Sequence, residues 1–109
     1  MSDTDAKIRT MMENMPTSFN PEKAVGVDAT IQYNLTGEGG STWASKIGDG
    51  VCTVEEGEAE DPTMTITMEA NDYVEMMAGR LDGMQAFMTG KIKVTGDIML
   101  ASRLMTFFS

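Results

Sequence analysis

The sequence predicts one α+β domain, and three patterns carry that prediction. Apolar and polar residues alternate over residues 27–36 and again over 63–69, the period of a half-buried strand. Over residues 71–88 the period changes to that of a helix. The segment 86–104, AFMTGKIKVTGDIMLASRL, then compresses a helix end, a glycine turn, a short strand, a second turn and an apolar helix. A chain of 109 residues supports one core, so residues 1–109 are read as a single domain without repeats or linkers.

The first element is a helix over residues 2–15. Ser2 is its expected cap, with Asp5 three positions on, and Ile8, Met11, Met12 and Met15 share one face. Pro16 is expected to end it, because proline removes a helical N–H and crowds the preceding turn. Residues 19–24, around Asn20-Pro21, read as a turn or short helical piece.

Four strands follow. In residues 27–36, Val27, Ala29, Ile31, Tyr33 and Leu35 alternate with polar partners, giving one dry and one wet face. Gly37-Glu38-Gly39-Gly40 turns the chain into a second strand over 41–47, which carries Trp43. Gly48-Asp49-Gly50 leads to a third over 51–55, an acidic connection spans 56–62, and a fourth covers 63–69 with Met64, Ile66 and Met68 on one face. The spacing predicts an antiparallel meander in which each strand pairs with the next.

Asn71 and Asp72 favour the start of a helix that Gly79 ends. Asp82 caps a second, to Met88, with Gln85 at the capping-box position, and Gly90 closes it. A fifth, short strand covers 91–95. Asp97 caps a final helix holding Ile98, Met99, Leu100, Leu104, Met105 and Phe107-Phe108. Apolar residues surround much of that helix, so it is buried on two sides or borders a cavity or an interface.

Composition excludes several classes of function. The net charge of −9 leaves no basic footprint for nucleic acid and argues against electrostatic docking on an anionic membrane. The run from Glu55 to Asp61 lacks the spacing of a calcium loop and reads as a solvated loop or hairpin. With no His and a single Cys, the sequence offers no intramolecular disulfide, no cysteine–histidine metal set and no conventional base for a nucleophile. Cys52, between valines in a strand, reads as a structural thiol. No apolar run spans a bilayer and the polar start is unlike a signal peptide, so a cytoplasmic protein is expected. The twelve methionines against seven aromatics suit an adaptable apolar wall.

The residues Asp72-Tyr73, Gly79, Ala86-Phe87, Gly90-Lys91-Ile92-Lys93-Val94, Gly96-Asp97 and Leu100-Ala101 resemble the sterol carrier protein 2, or non-specific lipid-transfer, family. With the order of elements, the resemblance extends from about Ile8 to Leu104. It implies a five-stranded, largely antiparallel sheet covered on one face by helices, with a hydrophobic tunnel between sheet and helices. It also implies non-catalytic binding and carriage of fatty acids, fatty acyl-CoA, sterol-like or other lipids, with no cofactor and no metal. The domain is expected to stand alone, without a fused enzyme and without the terminal peroxisomal signal of some members.

On that basis the expected tunnel walls are Trp43, Met68, Met76, Met77, Phe87 and Met88, with Ile92, Met99, Leu100, Leu104 and Met105 from the last strand and helix. Lys91, Lys93 and Arg103 are the expected contacts of an anionic head group. Expected partners are a lipid or fatty-acyl ligand, with no nucleic acid and no stable membrane insertion, in a monomer or weak homodimer. The alternative is a structural or interaction domain of the same fold, whose Met-rich helix faces close on a partner or a second copy.

Overall fold

The computed structural model describes residues 3–108, apart from the side chains of Ser102, Met105 and Phe108. The expected Ser2 cap and the Met105 side chain lie outside the described residues. Helix α1 covers Asp3–Ser18, followed by a 3-10 turn over Pro21–Ala24. Strands β1 (Ala29–Thr36), β2 (Thr42–Gly48), β3 (Val51–Glu56) and β4 (Met64–Glu69) come next. Then follow α2 (Ala70–Met77), α3 (Gly83–Met88), β5 (Ile92–Gly96), α4 (Ile98–Leu104) and a 3-10 turn over Met105–Phe108.

The five strands form one mixed sheet in the order β3-β2-β1-β4-β5. Three pairs are antiparallel, but β4 lies parallel to β1, with Ile31 beside Met64 and Leu35 beside Met68. This corrects the expected meander: β4 does not pair with β3. The reason lies in burial. Ala29, Ile31, Tyr33 and Leu35 are all buried, so β1 belongs at the centre with neighbours on both sides. Strand β3 exposes Val51, Thr53, Glu55 and Glu56, a pattern that fits an edge.

The acidic connector makes this topology possible. It crosses the helix-free face of the sheet: the Ala59 N–H donates to Gln32 Oε1 at 2.9 Å, and the Thr63 N–H donates to the Thr30 carbonyl at 2.8 Å. A parallel pair needs a crossover, here supplied by β2, β3 and this connector together.

Register places Trp43, Tyr33, Ile66 and Val94 in one row on the helix-facing side, with Cys52, Ile47, Met64, Met68 and Ile92 in neighbouring rows. Thr30, Gln32, Lys46, Thr67 and Lys93 lie on the opposite face. Helix α1 packs on β3 and α2, α3 on β5, and α4 on β4 and β5. Ile8, Met12 and Phe107 are fully buried among them.

Two helix boundaries differ from expectation. Helix α1 runs past Pro16 to Ser18. Tertiary contacts hold that last turn: Phe19 packs against the core, and the Asn20 N–H donates to the Phe107 carbonyl at 2.6 Å. Asn71 does not cap α2. Its Oδ1 instead accepts a hydrogen bond from Thr4 Oγ1 at 2.6 Å, tying α2 to α1. Asp82 and Asp97 are caps, accepting from the N–H groups of Gln85 and Leu100.

Candidate ligand site

The candidate site is the apolar layer over β4 and β5. Its floor is Met68, Ile66, Ile92 and Val94, which the alternation of both strands turns toward the helices. Its roof comes from α2 (Tyr73, Val74, Met76) and α4 (Leu100, Ala101, Leu104), all in the core cluster or packed against it. The Asp97 cap and Gly96 set the angle at which α4 folds back. At Gly96, φ is +91°, and a Cβ would collide with the Thr63 carbonyl oxygen.

Burial across this layer is greatest at its centre and falls toward both edges, since Val54 of β3 and Met11 and Met15 of α1 are also only partly buried. Toward β1 and β2, Tyr33, Trp43, Ile47 and Met64 are buried. Toward β5, Ile66, Ile92, Val94, Met76 and Ala101 are only partly buried, although they pack against the core. Beyond them stand Met77 and Phe87, 44% and 42% exposed. A layer that leaves five core-contacting apolar residues half wet has apolar surface still to bury.

The expected wall residues therefore fall into three groups. Trp43, Met68, Leu100 and Leu104 lie within the core, while Met76 and Ile92 sit at its partly open margin. Met77, Phe87, Met88 and Met99 are exposed, the last two at 79% and 78%. Ala86, not Phe87, is the buried residue of α3. Ile66, Val94 and Ala101 belong to the same margin and were not among the expected walls. For Ile66 and Val94 the signal was present in their alternation with Met68 and Ile92 along β4 and β5.

The basic residues separate. Lys91 and Lys93 line a depression of about 530 Å³ at the end of the sheet, with Thr36, Thr67, Met68, Gly90 and the acids Glu69 and Asp72. Arg103 is not in that depression; its guanidinium lies 5.6 Å from the Phe107 ring centroid on the helix side. A second depression, of about 510 Å³, joins Asp28, Lys46, Asp49, Val51 and Thr53 at the opposite end of the sheet.

Inside the core, Tyr33 and Tyr73 meet edge-on with centroids 6.1 Å apart, and Tyr33 Oη lies 3.5 Å from Ser45 Oγ. Burial pushes the Tyr33 hydroxyl up to about 12 and the Tyr73 hydroxyl higher still. It also pushes the Cys52 thiol up to about 11, so this buried group stays protonated at neutral pH.

The site is thus an apolar layer between a five-stranded mixed sheet, in the order β3-β2-β1-β4-β5, and the helices that roof it. The SCP-2 sterol transfer family matches residues 9–109, and the chain belongs to that family. Hydroxysteroid dehydrogenase-like protein 2 of Mus musculus is 35% identical over 88 residues, which are 80% of this chain and 18% of that protein. The chain thus spans about a fifth of the length of the curated relatives it matches. The sterol carrier protein domain 2 of Helicoverpa armigera superposes with a TM-score of 0.78 at 23% identity, covering 97% of this chain and 88% of that one. Sterol carrier protein-2 from Aedes aegypti, solved in complex with the C16 fatty acid palmitate, superposes at 0.73 with 20% identity, covering 100% and 97%.

Proposed function

We propose that this domain holds a single fatty-acyl or similar apolar lipid, without catalysis, between its sheet and its helices. The observation that carries the reading is the half-wet margin of Ile66, Ile92, Val94, Met76 and Ala101. The palmitate complex of the Aedes aegypti protein, which has the same fold, supports a fatty-acyl ligand.

Energetics fit this reading. Each methylene buried gains about 0.8 kcal/mol, so about ten methylenes supply the roughly 8 kcal/mol of a micromolar complex. The ligand enters by displacing side chains, and Met68 and Met76 are suited to that because methionine is unbranched and repacks at low cost. Such walls select for apolar length rather than shape. Arg103, alone of the three expected head-group residues, stands on the helix side, and it is assigned to the carboxylate.

The test is a titration of the chain, labelled with ¹³C at its methionine methyls, with palmitate. Saturable shifts of Met68 and Met76, with Met12 on the buried face of α1 unmoved, are expected. Shifts confined to the exposed Met84 and Met88, or none, would overturn the reading. Arg103→Gln is expected to weaken palmitate and leave hexadecanol unaffected.

A further inference from the structure

One hydroxyl interrupts the inner stripe of β2. Trp43, Ser45 and Ile47 alternate toward the helices, so Ser45 occupies a position where the pattern calls for an apolar side chain. Among the described residues outside the mainly apolar types, Ser45 alone is buried. Its hydroxyl faces that of Tyr33, itself buried, at 3.5 Å. Two bonded hydroxyls ordinarily stand about 2.7–2.8 Å apart. Among the described residues this long contact is the only hydrogen bond of either side chain. The pair holds two O–H donors and four lone pairs, so most of its bonding capacity is unused where unused capacity is costly. Trp43 beside it is different, because its indole N–H donates to Ser41 Oγ at 2.6 Å.

The pair lies at the inner end of the candidate site. Register puts Tyr33 beside Ile66 of the floor, and Ser45 one strand further in, beside Ile31. Tyr73 of the roof meets the Tyr33 ring edge-on. From the half-wet margin at β5 the floor runs inward through Val94 and Ile66 to Tyr33, two strand spacings or roughly 10 Å. An apolar chain lying over that floor, with its charged end at the exposed margin, brings its other end to the two hydroxyls. Burial disfavours charge there, as the raised Tyr33 hydroxyl shows, so an ionised group stays outside. A neutral oxygen does not carry that penalty.

We propose that Tyr33 and Ser45 receive a neutral oxygen at the buried end of the ligand, so that the domain takes a long-chain lipid bearing a hydroxyl or carbonyl remote from its head group. This rests on the reading that the domain holds a lipid between sheet and helices. An oxygen set between the pair, about 2.8 Å from each, accepts from one hydroxyl and, when it is itself a hydroxyl, donates to the other. A plain hydrocarbon end leaves both hydroxyls underused, and a site with polar groups to satisfy discriminates against the ligand that lacks their partner. The methionine walls around it supply no comparable selection, since they adapt to the shape of the chain.

Titration with palmitate and with 16-hydroxypalmitate, followed at the Met68 methyl, tests it. In a wholly apolar site the terminal hydroxyl weakens binding about tenfold or more, because it is buried unpaired. Here 16-hydroxypalmitate is expected to bind at least as tightly as palmitate. Tyr33→Phe and Ser45→Ala are each expected to move the ratio of the two affinities about tenfold toward palmitate. A substitution that merely loosens the core changes both affinities alike and leaves the ratio where it was. The chain has two tyrosines, so a ¹³Cζ label reads the contact directly, and 16-hydroxypalmitate is expected to shift Tyr33 further than palmitate does. For 2-hydroxypalmitate, whose hydroxyl sits beside the carboxylate, the ratio to palmitate is expected not to respond to either substitution. A tenfold preference for palmitate in the unaltered chain, or a 16-hydroxypalmitate ratio that neither substitution moves, would overturn the proposal. If palmitate shifts Met68 while either of those holds, the oxygen site falls and lipid holding stands. If neither ligand shifts Met68, both fall.

Discussion

The guanidinium of Arg9 lies 5.3 Å from the centroid of the Trp43 ring. The same group donates to Glu56 at 3.1 Å, so one side chain of α1 holds both β2 and β3. Both ionic partners are about half exposed, which limits the ion pair to a fraction of a kcal/mol. Stacking on the indole adds about 0.5–1 kcal/mol. Arg9→Ala is expected to lower stability by about 1 kcal/mol in urea unfolding, and Glu56→Gln by less. Equal losses would mean that the ring contact contributes nothing.

Gly96 and Gly90 both have positive φ, at +91° and +82°. An alanine at either pays the left-handed backbone cost of about 1–2 kcal/mol. Only Gly96 has a backbone carbonyl, that of Thr63, where the new Cβ would sit; Gly90 faces open space. Gly96→Ala is expected to be clearly the more destabilising of the two, and to shift α4 relative to β4. Comparable thermal midpoints would contradict this.

Phe107 is fully buried and its carbonyl accepts from Asn20, so the C-terminal turn is a structural anchor. Phe107→Ala is expected to cost about 3–5 kcal/mol by denaturant unfolding, the range for a buried aromatic truncation. A loss below about 1 kcal/mol would show that the turn is not held as described.

Alkaline pH should destabilise the protein. Tyr33 and Cys52 have folded pKa values raised above their ordinary ones, so the unfolded chain releases their protons first. Their stabilising contributions are intact below the ordinary values and are lost as pH rises, over about 9 to 11 for Cys52 and 10 to 12 for Tyr33. Urea midpoints are expected to fall across this window, and Cys52→Ala is expected to flatten its lower part. A midpoint independent of pH between 8 and about 11 would count against buried, protonated groups at both positions.

Much of this fold could be read from residue order, because the alternation in β1 and β4 and the caps Asp82 and Asp97 are local signals. The strand order was not. Residues 57–63 carry no mark of crossing a sheet, and the hydrogen bonds that fix the crossing, from Ala59 to Gln32 and from Thr63 to Thr30, join distant residues. The site was legible in part for a similar reason. Period 2 in β5 identifies Ile92 and Val94 as facing the core. In a helix as short as α3, however, the apolar pattern does not choose a face, and the chain buries Ala86 while leaving Phe87 and Met88 partly or largely in water.

Whether the protein carries a lipid can be read without labels by native mass spectrometry of gently purified chain, followed by organic extraction of whatever is released. A mass excess of one acyl lipid per chain, or its appearance on adding palmitate, is the expected result. A bare chain mass that gains nothing from palmitate, acyl-CoA or sterol while the circular dichroism stays native would contradict lipid holding. The half-wet margin over β4 and β5 would then serve a protein partner instead.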